Sequence, residues 1–339
     1  MRNLLGLTLE QLEQLCKEEG FPRFAAKQIC DWLYVKRVDS IAAMTNLSLK
    51  ARARLSEIAS LEHVIPVNCQ VSRDGTKKYL FPILQEKGMA YVEAVFIPDG
   101  ERGTLCLSCQ VGCKMGCRFC VTGKQGFHGN LSVSDIVNQV IALPEYERLT
   151  NIVFMGMGEP MDNYDNVLQA TEVLTSTWGM AWSPRRITVS TVGITPMLKR
   201  FLNESQCHVA VSLHNPFSEQ RLEVMPMEKP YPIAETIELL KRYDWSGQRR
   251  ISFEYTLFKG LNDTQEHAHR LVEMLKGFVC RVNLIRYHPS PDLPYRTPSD
   301  HDIFAFRDYL NQHGVVCTLR ASRGQDIMAA CGLLAGQKK

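Results

Sequence analysis

No apolar run in this sequence approaches the ~18 residues that a membrane-spanning helix needs. Low-complexity stretches and long linkers are missing too, so nothing suggests a flexible tether. A strong charge of one sign is absent: 39 Lys and Arg face 36 Asp and Glu. The resulting +3 falls short of the strongly basic signature of a dedicated nucleic-acid module. With 45% hydrophobic and 22% charged residues, the 339-residue chain is not disordered, collagenous or coiled-coil. Its first residues, MRNLLGLTLEQLEQ, interrupt their leucines with Glu10 and Glu13 before a secretory apolar segment can form. The chain is therefore expected to be cytoplasmic, with no membrane contact. The whole excess charge lies in residues 1–90, where 13 Lys and Arg face 10 Asp and Glu. That suits either an accessory segment resting on a phosphate backbone or an ordinary solvated helical surface.

What is abundant is cysteine. Twelve in a chain expected in a reducing compartment do not read as a disulfide framework, so any cluster needs metal binding or catalysis to explain it. Five of the twelve fall between 106 and 120. Cys16, Cys30, Cys69, Cys207, Cys280 and Cys317 stand alone in helical or strand-like runs and are expected as small buried hydrophobes.

Short amphipathic helices are expected over the first ~60 residues. From about residue 66 the period becomes strand-like, KKYLFPI and AYVEAVFIP reading as a hairpin joined through a Glu-Lys-Gly turn. After residue 100, apolar strands alternate with amphipathic helices. The strands TLCLSCQVG, NIVFMGMG, RITVSTVG, HVAVSLH, ISFEYTLF and RVNLIRY each precede a helix, and VVCTLRAS closes the series. Six such pairs predict an α/β parallel sheet or barrel short of the eight units of a closed one.

Just after the first of these strands comes Cys113-Lys-Met-Gly-Cys117-Arg-Phe-Cys120. Three thiolates so spaced on one loop can reach three corners of an iron–sulfur cube, leaving its fourth iron without a protein ligand. A zinc site would need a fourth donor, for which Cys109 or His128 would have to serve.

A C-x3-C-x2-C loop in this βα setting resembles the radical S-adenosylmethionine (SAM) superfamily. Around it stand TLCLSCQVGC (104–113), GMGEP (156–160), VSTVG (189–193), SLH (212–214), NLIRYHP (283–289) and RGQDIMAACG (323–332). Together, over essentially the whole chain, they resemble the RlmN-type adenine-C2 RNA methyltransferases. The resemblance implies a partial (β/α)6 barrel over 101–339 that ends in a methyl-carrier segment. A helical, RNA-binding accessory domain over 1–65 and a connecting β-hairpin over 66–100 would precede it.

It also implies a mechanism. Carbon 2 of adenine is electron-poor and does not attack a methyl sulfonium, but a carbon radical can add to it. Cys331 would take a methyl from one SAM. A second SAM, on a 4Fe–4S cluster held by Cys113, Cys117 and Cys120, would supply the radical that activates the methyl. Cys106 would then attack the Cys331 sulfur, forming a disulfide and releasing the methylated base, while Glu93 removes the C2 proton. By the same matching, Gly158, Glu159, Ser190, Ser212, Leu213, His214 and His288 would bind SAM, although the family carries Asn where His288 stands and Ser where Cys109 stands. The implied partners are 23S rRNA, tRNA and a flavodoxin- or ferredoxin-type electron donor, with the chain acting as a monomer. GMGEP and CQVGC match the C2 branch, whereas NLIRY resembles the C8-methylating resistance branch. A non-catalytic iron–sulfur or zinc RNA-binding protein is the reading from another class. Arg185-Arg186 and Arg249-Arg250 precede strands and could touch phosphates, but paired arginines are usually solvated surface.

Overall fold

A computed structural model describes residues 1–86, 88–289 and 293–336. Helix α1 (Leu9–Glu18) opens on a capping box, in which the Thr8 hydroxyl accepts from the Gln11 amide and the Gln11 side chain accepts from the Thr8 amide. Its Leu12, Leu15 and Cys16 are buried, and it packs on α2 (Ala25–Cys30). Helix α2 passes directly into a π-helical turn over Asp31–Val35. Helix α3 (Leu49–Ile58) starts at Ser48, whose hydroxyl accepts from the Ala51 amide. A short parallel pair, β1 (Arg2–Asn3) with β2 (Ala59–Ser60), ties the two ends of this segment together.

Four strands follow: β3 (Asn68–Val71), β4 (Lys77–Gln85), β5 (Gly88–Asp99) and β6 (Arg102–Cys106). Lys87 of the expected Glu-Lys-Gly turn lies outside the described residues. A small hairpin, β7 (Gln110–Gly112) with β8 (Phe127–Asn130), brackets the cysteine loop and the one-turn helix α4 (Val121–Lys124). The alternating series then runs as α5 (Val133–Ile141), β9 (Asn151–Phe154), α6 (Tyr164–Thr175), β10 (Ile187–Thr191), α7 (Thr195–Glu204), β11 (His208–Ser212), α8 (Ser218–Val224) and α9 (Ile233–Lys241). It ends with β12 (Ile251–Leu257), α10 (Gln265–Leu275), β13 (Arg281–Arg286), α11 (Asp300–Gln312) and β14 (Cys317–Leu319).

Among the described residues one sheet holds ten strands in the order β14-β13-β12-β11-β10-β9-β6-β5-β4-β3. Neighbours from β14 to β6 are parallel, as six βα units require, and β5, β4 and β3 extend the sheet antiparallel. The expected hairpin thus continues the barrel sheet itself. Phe154, Val189, Val211, Phe253 and Leu284, one from each of five neighbouring parallel strands, are at most 2% exposed. Each such burial contributes about 1.5–3 kcal/mol before chain entropy is counted.

The N-terminal helices dock on the barrel helices. The Val64 amide and carbonyl bond the Asn138 side chain of α5 at 3.0 and 2.7 Å, and Gln169 Nε2 of α6 donates to the Gly6 carbonyl at 2.7 Å. No helix among the described residues is long and apolar enough to cross a membrane.

Candidate active site

Parallel strands converge their C-terminal ends on one region, the usual place for a site in barrel-type folds. There Cys113, Cys117 and Cys120 line a chamber with Gly158, Glu159, Ser190, Ser212, His214 and Cys331. The cysteine loop is held by its backbone: the Cys113 amide donates to Gly126, Arg118 to Val224 and Cys120 to Cys117. Burial raises the pKa of all three thiols, that of Cys113 to about 12. They need a cationic partner to be thiolates, which is what iron supplies. Three thiols on one loop match three corners of an iron–sulfur cube, whereas zinc takes four donors at ~2.0–2.3 Å from one ion. His128 is exposed, and its Nε2 lies 3.2 Å from the Gln125 carbonyl.

Glu159 is the electrostatic centre of the opposite wall. One carboxylate oxygen accepts from the Met161 amide at 3.1 Å and the other from the Val192 amide at 2.9 Å, fixing it between the ends of β9 and β10. Burial nonetheless raises its pKa to about 7. It has no cationic partner among the described residues. A ligand ammonium would complete it. Gly158 carries a φ of +102°, and a Cβ there would lie 2.6 Å from the Cβ of Gln110. Packing against β7 therefore requires glycine at this position. Gln110 in turn accepts from the Glu159 amide at 2.9 Å.

His214 sits at the end of β11 with a φ of +54°, a costly conformation for a side-chain-bearing residue. Its Nδ1 accepts from the Thr256 amide at 2.9 Å, so a neutral ring carries its proton on Nε2. Burial first, then Arg221, lowers its pKa to about 3, which keeps the ring neutral. Its edge packs on Phe119 of the cysteine loop, 4.8 Å between centroids.

Arg221, which belongs to none of the motifs along the chain, fastens this wall. Fully buried, it donates to the carbonyls of Leu213 (2.9 Å), Ser212 (2.8 Å) and Val192 (3.1 Å), and it pairs with buried Glu228. Leu213 is itself fully buried behind the chamber.

The C-terminal segment is laced to the cysteine loop. The Val121 amide donates to the Gly332 carbonyl (2.8 Å), the Thr122 hydroxyl to Leu334 (2.7 Å) and Gln125 Nε2 to Ala335 (2.7 Å). These bonds hold Cys331 at the chamber wall, with its accessible surface facing cavities. Enclosure raises its thiol pKa, and Arg320 pulls the other way. Cys106, at the end of β6, is a free buried thiol raised to about 12 by burial and by Cys331. Arg320 is near enough to both thiols to be stabilised by each.

Glu93 on β5 is buried, against the expectation for an isolated strand carboxylate. It pairs with Lys78 at 3.1 Å and accepts from the Ala335 amide at 2.8 Å. Neither Glu93 nor Cys106 lines the chamber, and His288 lines a separate groove that it shares with Cys331. Cys109 is fully enclosed, with its backbone bonded to Met157, Leu131 and Asn163, a packing role. Of the lone cysteines, Cys16, Cys30, Cys207 and Cys317 are buried and Cys280 partly so. Cys69 corrects the expectation: it is exposed, because β3 is an edge strand with alternating faces open to solvent.

Comparison with known proteins agrees with this geometry. The Radical SAM superfamily matches residues 107–272, and the ribosomal RNA large subunit methyltransferase N-terminal domain matches residues 2–61. A Parabacteroides distasonis protein named "Probable dual-specificity RNA methyltransferase RlmN" is 53% identical over 99% of this chain and 97% of its own. One of the same name from Bacteroides thetaiotaomicron is 54% identical over 99% and 96%. The "Dual-specificity RNA methyltransferase RlmN" of Syntrophus aciditrophicus is 41% identical over 99% and 97%. A crystal structure of a radical SAM methyltransferase from Sphaerobacter thermophilus superposes with a TM-score of 0.91 at 40% identity, covering 99% of this chain and 100% of that one.

Proposed function

We propose that this chain, which belongs to the RlmN-type RNA methyltransferases of the radical SAM superfamily, methylates carbon 2 of an adenine in 23S rRNA and of an adenine beside the tRNA anticodon. It does so in the cytoplasm, as a monomer, with electrons from a flavodoxin- or ferredoxin-type donor. When bound, a 4Fe–4S cluster and SAM supply the methyl group and the one-electron chemistry by which carbon can be joined to an electron-poor ring.

The residues divide that work. Cys113, Cys117 and Cys120 hold the cluster. Glu159 receives the SAM ammonium, and Ser190, Ser212 and His214 line the rest of the pocket, with Leu213 behind them and His288 at the far side of Cys331. Cys331 would take its methyl from SAM, of which each turnover would use two molecules. Cys331 carries the methyl as S-methylcysteine and becomes bonded through it to the base. Glu93 accepts the proton from C2. Cys106 attacks the Cys331 sulfur, which releases the product and leaves a disulfide for an external reductant to open.

Cys331 carries this reading: a free thiol at the wall of the cysteine chamber, tied by Gly332 to the residue after Cys120 and sharing Arg320 with a second thiol. The test is to incubate the anaerobic holoenzyme with an rRNA fragment, digest to nucleosides and identify the product by mass spectrometry against both methyladenosine standards. The reading expects 2-methyladenosine. 8-Methyladenosine would move the chain to the resistance branch, and no methylated adenosine would overturn the reading.

A further inference from the structure

The arginine pairs before the strands take no part in the site above, and the structure separates the members of the second pair, Arg249-Arg250. Arg249 serves the fold, donating to the carbonyls of Cys207 (2.9 Å), Leu202 (2.7 Å) and Phe201 (3.4 Å). Arg250 instead lines a groove of about 450 Å³ together with Arg102, Arg281, Arg286, Arg320 and Arg323. The one carboxylate in that lining is Asp99, already paired with Arg323 at 2.9 Å. Arg286 is paired with Asp300 and Arg320 with Glu254. Arg102, Arg250 and Arg281 are left exposed, with no carboxylate partner among the described residues.

The topology explains the concentration. Arg281 begins β13, Arg250 immediately precedes β12 and His208 begins β11, and these three strands are sheet neighbours ~4.8 Å apart. Arg102 begins β6 on the other side of the barrel sheet. His208 registers the resulting field: burial first, then Arg250, Arg249, Arg185 and Arg281, lowers its pKa to about 4. Cys331 lines this groove as well as the cysteine chamber, so the residue stands where the two adjoin.

We propose that this groove seats the phosphodiester backbone of the RNA strand bearing the target adenine, with Arg102, Arg250 and Arg281 as its phosphate contacts and Cys331 at the inner end, where the base is delivered. The proposal rests on the RNA methyltransferase reading and adds where the nucleic acid docks. Guanidinium groups match phosphate through paired hydrogen bonds. A base reaching Cys331 from the groove meets the carrier sulfur from the side away from the cluster ligands, so cofactor and RNA need not compete for one opening.

The test is fluorescence anisotropy of a labelled RNA stem-loop with an unpaired adenine in its loop, titrated with anaerobically purified holoenzyme across a salt series. The double variant Arg250→Ala/Arg281→Ala is expected to bind at least about tenfold more weakly, with the slope of log affinity against log salt reduced by about 1.4, at ~0.7 per single-strand phosphate contact. Arg102→Ala, on the opposite wall, is expected to lower the slope by about 0.7 and serves as an independent probe if the double variant folds poorly. Arg250→Lys/Arg281→Lys retains the slope, and Arg270→Ala on the outer face of α10 changes neither quantity. Wild-type affinity and slope in both alanine variants would overturn the groove while leaving RNA methylation standing. A holoenzyme that neither binds nor methylates the RNA would overturn both.

Discussion

Lys78 and Glu93 form a nearly buried ion pair across the hairpin, Nζ to carboxylate 3.1 Å, with side chains 10% and 6% exposed. Lys78 also donates to the Met328 carbonyl at 3.4 Å, and Glu93 accepts from the Ala335 amide. The pair therefore joins the hairpin to both flanks of Cys331. Removing one partner strands a buried charge, so Lys78→Met is expected to cost about 3 kcal/mol in denaturant unfolding, while Lys78→Met/Glu93→Gln recovers part of that loss. A single variant no less stable than the double would show that the ion pair does not hold the segment.

Arg221→Met is expected to cost about 3–5 kcal/mol, because it leaves Glu228 buried and three strand-end carbonyls without their donor. SAM binding, followed by calorimetry, weakens in the fraction that remains folded. Full affinity would mean that the ends of β10 and β11 are set by packing alone.

Asp74 and Asp326 make a reciprocal clasp between the turn joining β3 to β4 and the C-terminal segment. Asp74 accepts from the Gly324 amide at 2.8 Å, and Asp326 accepts from the Ser72 hydroxyl at 2.5 Å and the Arg73 amide at 3.1 Å. Partial burial raises the Asp74 pKa, but hydrogen bonds from Gly324 and Thr76 outweigh it and bring it to about 2. A depressed carboxylate pKa stabilises the fold above the unfolded value near ~3.9 and loses that contribution as pH falls towards about 2. Comparing wild type with Asp74→Asn, the stability difference should be at most about 1 kcal/mol at neutral pH, given solvent screening, and should shrink over that acid window. Faster hydrogen exchange at the Gly324 amide is the local readout. A difference that does not change with pH would contradict the clasp.

Gly158→Ala combines a positive φ with a clash against Gln110, and a loss of about 1–3 kcal/mol is expected from the melting temperature. A neutral effect would mean that the 156–160 loop yields.

Much of this was legible along the chain because its signals are local. Six βα units show as a change of period, and Cys113, Cys117 and Cys120 sit on one loop. What stayed hidden depends on contacts between distant segments. Glu93 reads as an exposed strand carboxylate until Lys78 and Ala335 are seen against it. Arg221 is one more helical arginine until three carbonyls from two strand ends converge on it. Arg250 and Arg281 are 31 positions apart and become neighbours only through the parallel pairing of β12 with β13. Cys69 went astray because an isolated strand does not say whether it lies at the edge of its sheet.

The central claim is that Cys331 carries the methyl group, and intact-protein and peptide mass spectrometry of the anaerobically purified chain tests it most directly. The account predicts S-methylcysteine at Cys331 in the native protein, and an RNA adduct trapped at the same residue in Cys106→Ala. An unmodified Cys331 in both proteins, with the iron–sulfur cluster intact, would contradict it.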